Sequence, residues 1–416
     1  MLVTTLVVLI VVILSGTYYL RQVDRVQFYA RYHQEIQSIK KVSNILFFFK
    51  TLQPSKLEQY DLTIDQKDLD FLNHNLPPGY VGNTLSDQYK KPVKAKLTVG
   101  STEYDVEVRY RGDTDAHWRD SQKSWLVKIK GGDMVNGMRS FHLIIPVDRF
   151  YLLEDLNMYR AKKMGLDAIQ SSFLNLFING KREGVYWQIE DFGIDLMNRM
   201  NIELPVNLYE SKEFAELDPS IKDPFTNIEA WKQLITDPNT GRDSTTLEKL
   251  IELVNNPDDA YFYQHIVDLV DMENFYNWQI NQALVNSTHQ SGINMRLYVD
   301  HKTQKFKFIP WDVSYGETPI DSTEQAYNTL VTRILKNPEF LKERNKRLWN
   351  YVSDPKNLED DLQHYDELDA ATEIDFYKDN NKVESNLAYR KKITSIRQLI
   401  IDKIDYWKSN LEHQPH

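Results

Sequence analysis

Cysteine is absent from the 416 residues, and that one absence removes disulfide frameworks, thiolate catalysis, cysteine zinc sites and iron–sulfur clusters together. Catalytic glycine motifs are missing as well. There is no Gly-x-Gly-x-x-Gly, Gly180-Lys181 lacks the upstream glycine of a phosphate-binding Walker loop, and no Gly-x-Ser-x-Gly elbow occurs. No two of the ten histidines lie four apart as in a helical metalloprotease motif. Positive charge is in deficit: 50 Lys+Arg against 60 Asp+Glu give a net charge of −10. An acidic surface repels phosphate backbones, so no nucleic-acid partner is expected. What remains for chemistry is carboxylates, histidine, lysine, arginine, amides and hydroxyls.

Hydrophobic residues make up 41% and aromatics 12% of the chain, ample for a folded core. Leu2 to Leu20 carries no charge, and at about 1.5 Å per helical residue it approaches the roughly 30 Å of a hydrocarbon layer. With no basic segment before it and a poor cleavage site after it, the run reads as an uncleaved single-pass anchor in a lipid bilayer. Arg21, Arg25 and Arg31 follow, a flank that favours a cytoplasmic position for the large domain. Asp24 to Lys50 is helix-favouring, and Ile45-Leu-Phe-Phe-Phe49 reads as a helix packed on the body or as a docking patch. Pro54, Pro77-Pro78-Gly79 and Gly82 mark an irregular connection from Thr51 to Lys91.

Period-two patterning then predicts strands over Val93–Val99, Glu103–Tyr110, Ser124–Lys130 and Phe141–Ile145. A helix over Asp148–Met164 ends at Gly165, and Phe173–Ile178 pairs with Val185–Glu190 through Asn179-Gly180, a strong hairpin signal. Beyond Glu213 the pattern is mainly helical, with one hairpin, Asn294–Val299 with Lys305–Ile309. The last helix aligns Ile393, Ile396, Ile400, Ile404, Trp407 and Leu411 on one stripe. The expected fold class is α+β. Its units are an anchor at 1–20, a juxtamembrane helix and connector at 21–90, a sheet-rich lobe at 91–213 and a mainly helical lobe at 214–416.

Four segments carry candidate chemistry. In Arg109-Tyr-Arg111-Gly112 a strand runs into a glycine turn, and Gln122-Lys123-Ser-Trp-Leu-Val-Lys128 brings lysines on the next strand. Glycine lets backbone N–H groups approach an anion, and a strand-borne lysine supplies a fixed cation, so the pair suits nucleotide phosphates; an ordinary hairpin with solvated lysines is the alternative. Glu190 ends a hairpin, where it would pair with Lys123 or act as a helix N-terminal acid. Val285-Asn-Ser-Thr-His289-Gln-Ser-Gly-Ile-Asn294 is a polar loop, and Phe306-Lys-Phe-Ile-Pro-Trp-Asp312 places a carboxylate at a strand end. An amide and a carboxylate on two arms of one hairpin make an oxygen-ligand site for magnesium, or simple caps and turns.

In this order and spacing the four segments resemble the spore coat protein H (CotH) kinase family, an atypical protein-kinase-like group, over roughly Arg109 to Gly316. The resemblance implies a two-lobed kinase-like fold, with an antiparallel sheet-rich N-lobe, a helical C-lobe, and ATP with Mg2+ or Mn2+ between them. It implies transfer of the γ-phosphoryl group to hydroxyls of a protein substrate. Arg111, Gly112 and Lys123 would hold phosphates, with Lys128 the fallback lysine and Glu190 the ion-pair partner. Asn294 and Asp312 would hold the metal. The sequence departs from the family pattern at His289, where an Asp is usual, and at Ser314, where a second Asp often follows Trp-Asp. His289, with Asp312 the expected catalytic pair, has a reference pKa near 6.5 and could still accept a hydroxyl proton. The two losses leave a second expectation open: a catalytically impaired, nucleotide-binding scaffold in a membrane or envelope-polymer assembly. Family members include exported ones, so the resemblance also permits an extracytoplasmic domain.

Overall fold

A computed structural model of the chain describes residues 41–78, 84–204, 206–212, 223–235, 245–287, 289–290, 294–313 and 328–412. Seven strands form the first unit: β1 (Glu58–Ile64), β2 (Val93–Val99), β3 (Thr102–Tyr110), β4 (Trp125–Ile129), β5 (Ser140–Ile144), β6 (Ser171–Ile178) and β7 (Lys181–Glu190). They close into a barrel in the order β1-β2-β3-β4-β5-β7-β6. Neighbours pair antiparallel except at the closure, where β1 runs parallel to β6 with Tyr60 opposite Leu176. The expectation of a kinase-like fold with an antiparallel sheet-rich N-lobe is therefore corrected to a closed seven-stranded barrel with one parallel pair. The physical reason lies in β1: Tyr60, Leu62 and Ile64 alternate inward and are buried, and this seventh strand, inside the stretch read as irregular, supplies the partner that β2 and β6 would otherwise lack.

Inward side chains of every strand fill the barrel, among them Tyr60, Leu97, Val108, Val127, Phe141, Leu176 and Tyr186. β7 is buried on both faces. Val185, Trp187 and Ile189 point outward into a second cluster with Leu153, Leu156, Tyr365, Phe376, Tyr389, Ile393 and Ile396, which come from the helices Leu153–Lys163, Pro355–Lys378 and Asn386–Leu411. The predicted isoleucine stripe of the last helix is buried along its length. The hairpin signal is realised too, with Asn179 at φ 50 and Gly180 at φ 78, and Gly165 takes φ 76 after its helix. That helix begins at Leu153 rather than Asp148, because the 3-10 turn Pro146–Arg149 and left-handed Phe150 and Tyr151 precede it.

A second, four-stranded sheet follows, built from β8 (Leu208–Ser211), β9 (Trp231–Ile235), β10 (Arg296–Val299) and β11 (Phe306–Phe308) in the order β11-β10-β8-β9. The helices Thr245–Asn255, Asp259–Leu269, Met272–Ala283 and Thr329–Lys336 pack on it through Leu250, Phe262, Phe275, Trp278 and Ile334, against Leu297 and Phe308.

The expected anchor over Leu2–Leu20 lies outside the described residues. Among those described, no helix is long and apolar enough to cross a membrane, so the single-pass membrane assignment, and with it the bilayer contact, is corrected: the structure identifies no span. At Lys41–Thr51 a 3-10 helix leads into one α-helical turn. Its Phe47 packs on Tyr377 with ring centroids 4.6 Å apart, while Val42, Ile45, Leu46, Phe48, Phe49 and Leu52 are exposed.

Candidate functional site

Strand ends of both sheets converge on one polar cavity of about 340 Å³. Arg109, Arg111 and Gly112 arrive from the end of β3, Asp148 and Arg149 from the turn after β5, and Asp191 and Phe192 from the end of β7. The second sheet contributes Glu210 and Ser211 from β8, Lys232 from β9, Asn294 and Arg296 at the start of β10, and Trp311 and Asp312 after β11. Clefts of this kind, at strand ends between two packed units, are where ligand sites concentrate.

Local backbone is bent to serve the cavity. Asn294 (φ 59) and Asp312 (φ 51) both occupy the left-handed region, which costs a non-glycine residue energy and persists only where surrounding contacts hold it. Gly112 has φ +92, and a Cβ placed there would fall 2.1 Å from the His117 ring. No other residue fits that turn without displacing the histidine. Trp311 meets Phe192 edge to face at 5.2 Å, and the Arg296 guanidinium lies between them, 4.0 Å from the Phe192 centroid and 4.6 Å from that of Trp311. Two aromatic faces and an ion pair with Glu210 hold this buried cation in place.

The charges are arranged in opposition. Arg149 is buried and pairs with both Asp312 and Asp148, the latter at 2.9 Å. Burial alone would raise the Asp312 carboxyl, but the Arg149 guanidinium and the His289 contact hold it well below the usual carboxylate range. Asp312 is thus an anion at any physiological pH. Arg111 differs from Arg149 and Arg296, which are ion-paired. Its side chain makes no ion pair with a described residue and its Nη1 is buried without a hydrogen-bond partner; burial and the nearby Arg149 charge pull its pKa down to about 10. A buried donor left unpaired costs about 1–3 kcal/mol, more for a charged group, so this guanidinium is poised for an anion entering the cavity.

The sequence-derived residues divide between cavity and elsewhere. Arg111, Gly112, His289, Asn294 and Asp312 all line the cavity. Asn294 Nδ2 donates to Asp312 Oδ2 at 3.1 Å, and His289 Nε2 lies 3.4 Å from the same oxygen. Lys123, Lys128 and Glu190 do not join them. The Lys123 ammonium donates to the Asp120 carbonyl at 2.9 Å and lies over the Tyr110 ring, and burial lowers its pKa. Lys128 is exposed on β4. Glu190 is buried and accepts from Arg199 Nε at 2.7 Å, so the expected Lys123–Glu190 ion pair is not formed. Ser314 lies outside the described residues.

Sequence reasoning missed Arg149, Arg296, His117, His142, Asp148, Asp191 and Glu210 as cavity residues. A signal existed for Arg296: it interrupts the apolar run Met295–Tyr298, and a charge inside a buried strand is there for a partner. No comparable signal marks Arg149, whose partner Asp312 is far away in sequence.

Asp312 and Asn294 fit one divalent cation of the magnesium type, with an ionised carboxylate and an amide side by side and phosphate oxygens or water completing the shell. They do not make a self-sufficient cage, since no group of three or more His, Cys, Asp or Glu among the described residues could hold a metal. A cation held by this pair would need further oxygen ligands from outside it.

His117 offers a pH test. Burial, reinforced by Arg111 and Arg149 and opposed by Asp148, pushes its pKa down to about 4, whereas an unfolded histidine titrates near 6.5. Between these values the unfolded chain binds the proton and the folded chain does not, so stability falls as pH drops from about 6.5 to 4. Urea unfolding should show wild type losing roughly 2 kcal/mol more than His117→Gln between pH 7 and pH 5. Equal losses would refute the neutral buried histidine.

A family model described as CotH kinase protein matches residues 108–407. Among solved structures the chain is similar to the crystal structure of a Helicobacter pylori proinflammatory kinase, CtkA, at 12% identity and a TM-score of 0.28, covering 69% of this chain and 94% of that one. No curated protein matches.

Proposed function

We propose, for a chain that belongs to the CotH kinase protein family and is kinase-like on that ground, that the polar cavity binds ATP with a divalent cation and that the γ-phosphoryl group passes to a hydroxyl of a protein substrate. The single observation that carries this reading is the presence in one cavity of the half-buried Arg111, whose buried Nη1 has no hydrogen-bond partner, together with the ionised Asp312 and its Asn294 neighbour. Arg111 would take a phosphate oxygen, and its planar fork suits bidentate contact. Gly112 lets the turn beside Arg111 close against the His117 ring at the cavity wall. Asp312 and Asn294 would hold the cation, Mg2+ or Mn2+, which supplies charge neutralisation on the phosphates when bound. Phosphoryl transfer needs little covalent help from a protein and depends mainly on positioning and charge, which is what this cavity is equipped to provide. His289, beside Asp312 in the cavity, would take the hydroxyl proton.

The test uses the full chain, titrated with ATP in Mn2+ by calorimetry and assayed for transfer of labelled phosphate from ATP to itself or to casein. Arg111→Met should weaken ATP binding by about 10- to 100-fold, the usual worth of a hydrogen bond to a charged group. Lys123→Met should change it by less than about threefold, because that ammonium is outside the cavity. The reverse pattern would return the phosphate role to Lys123 and overturn the arginine reading.

One observation favours a second outcome. His289 is engaged with Asp312 in the position expected of a carboxylate base, and loss of a positioned base costs about 10²- to 10⁴-fold. Binding of Mn2+ and ATP without transfer would identify a catalytically impaired, nucleotide-binding relative.

A further inference from the structure

Asp312 has left-handed backbone and is followed by a fully buried residue, Val313. This stretch belongs to no strand, so the Val313 peptide groups need partners from outside a ladder. Both come from one turn of the helix Leu153–Lys163. Glu154 Oε1 accepts the Val313 N–H at 2.9 Å, and Asn157 Nδ2 donates to the Val313 carbonyl at 2.9 Å. Residues three apart on a helix share a face, which lets the two side chains grip one residue from its two ends. Glu154 is 2% exposed and Asn157 0%. The grip is anchored in turn: Asn281 Nδ2, from the helix Met272–Ala283, donates to the Asn157 carbonyl at 3.0 Å.

We infer that Glu154 and Asn157 are positioning residues, which fix the backbone at Val313 so that the Asp312 carboxylate is presented to the cavity in one direction. They touch neither nucleotide nor cation. Their action on Asp312 runs through the peptide bond that follows it, so they govern how well Asp312 meets a cation; the Glu154 charge also lies near Arg149, but neither residue acts on Arg111. The inference rests on the reading of the cavity as a nucleotide and metal site. It differs from a generic packing role in what it spares: binding that relies on Arg111 alone is unaffected.

The experiment measures ATP affinity of the full chain with Mn2+ and without metal, for wild type, Glu154→Gln, Glu154→Ala and Asn157→Ala. Outer-shell changes typically cost about 10- to 100-fold in metal affinity, so Glu154→Ala should lower the ratio of the two affinities by at least about tenfold, with the metal-free value unchanged. Glu154→Gln keeps an oxygen acceptor for the Val313 N–H and should restore most of the ratio. Asn157→Ala removes only the second contact and should fall between; it also serves if Glu154→Ala does not fold. Hydrogen exchange at the Val313 amide should rise in Glu154→Ala and not in Glu154→Gln. An unchanged ratio alongside faster exchange would overturn the positioning role. Equal loss in the glutamine and alanine variants would overturn the hydrogen-bond mechanism. A wild-type chain that binds no ATP under either condition would instead remove the reading of the cavity, and the inference with it.

Discussion

Asp312→Asn is expected to eliminate the Mn2+-dependent part of ATP binding and to lower any phosphoryl transfer by at least about 10²- to 10³-fold, the cost of deleting one preorganised charge-stabilising group. The side chains are of the same shape, so the change isolates charge. Asp312 is ionised because Arg149 sits against it, and the same neighbour predicts a second effect. Removing one partner of a buried pair typically costs about 3–5 kcal/mol, because the other charge is left uncompensated. Here Arg149 keeps Asp148 at 2.9 Å, so the loss of stability should fall below that range. Urea denaturation and metal-dependent calorimetry on one preparation separate the two effects. Intact Mn2+ dependence in a folded Asp312→Asn protein would exclude Asp312 as a cation ligand.

Asp361→Ala should destabilise the fold by about 3–5 kcal/mol, the largest effect expected away from the cavity. Arg160 Nε donates to Asp361 Oδ2 at 2.8 Å, with the two side chains 1% and 0% exposed. Tyr351 adds its hydroxyl to the same carboxylate at 2.9 Å. Two further nitrogens of Arg160 are buried without hydrogen-bond partners, so the guanidinium already depends on this one anion. Taking it away leaves an uncompensated charge between the helices Leu153–Lys163 and Pro355–Lys378. Domains of ordinary stability, about 5–15 kcal/mol, tolerate such a loss only narrowly. A double replacement, Arg160→Met with Asp361→Leu, removes both charges and should recover most of the stability, since apolar substitutes for buried ion pairs are often neutral or better. A single variant as stable as wild type would show that the pair contributes nothing. Because the helix Leu153–Lys163 also carries Glu154 and Asn157, a weakened Asp361→Ala protein should bind metal-dependent nucleotide less tightly as well.

Local pattern made much of this legible. Alternation marked Val93–Val99 without error, and β3 to β7 within a few residues at their ends, because each has one face in the barrel and the inward residues are plainly apolar. β1 escaped for the opposite reason. Its Tyr60, Leu62 and Ile64 do alternate, yet Pro54 and the prolines at 77 and 78 dominated the reading of their surroundings. Closure was illegible in principle, since a parallel partner more than a hundred residues away leaves no local trace. The same division runs through the cavity. Arg111, Gly112, His289, Asn294 and Asp312, singled out from short motifs, line one cavity. Lys123 was expected in the cavity because lysines pair with phosphates, but its ammonium turns to the Asp120 carbonyl within its own loop. Glu190 turned to Arg199, nine residues on, a partner at least as near in sequence as any considered.

The ring of seven strands has a practical consequence for anyone trimming the gene. The family match starts at residue 108, after β1, β2 and nearly all of β3. A fragment cut to that match would lose three staves of the cask, leave β4 and β6 with bare flanks, and expose the oily lining they now share. Such edges invite pairing between copies, so the trimmed product should form inclusion bodies where a fragment beginning before Glu58 stays monodisperse.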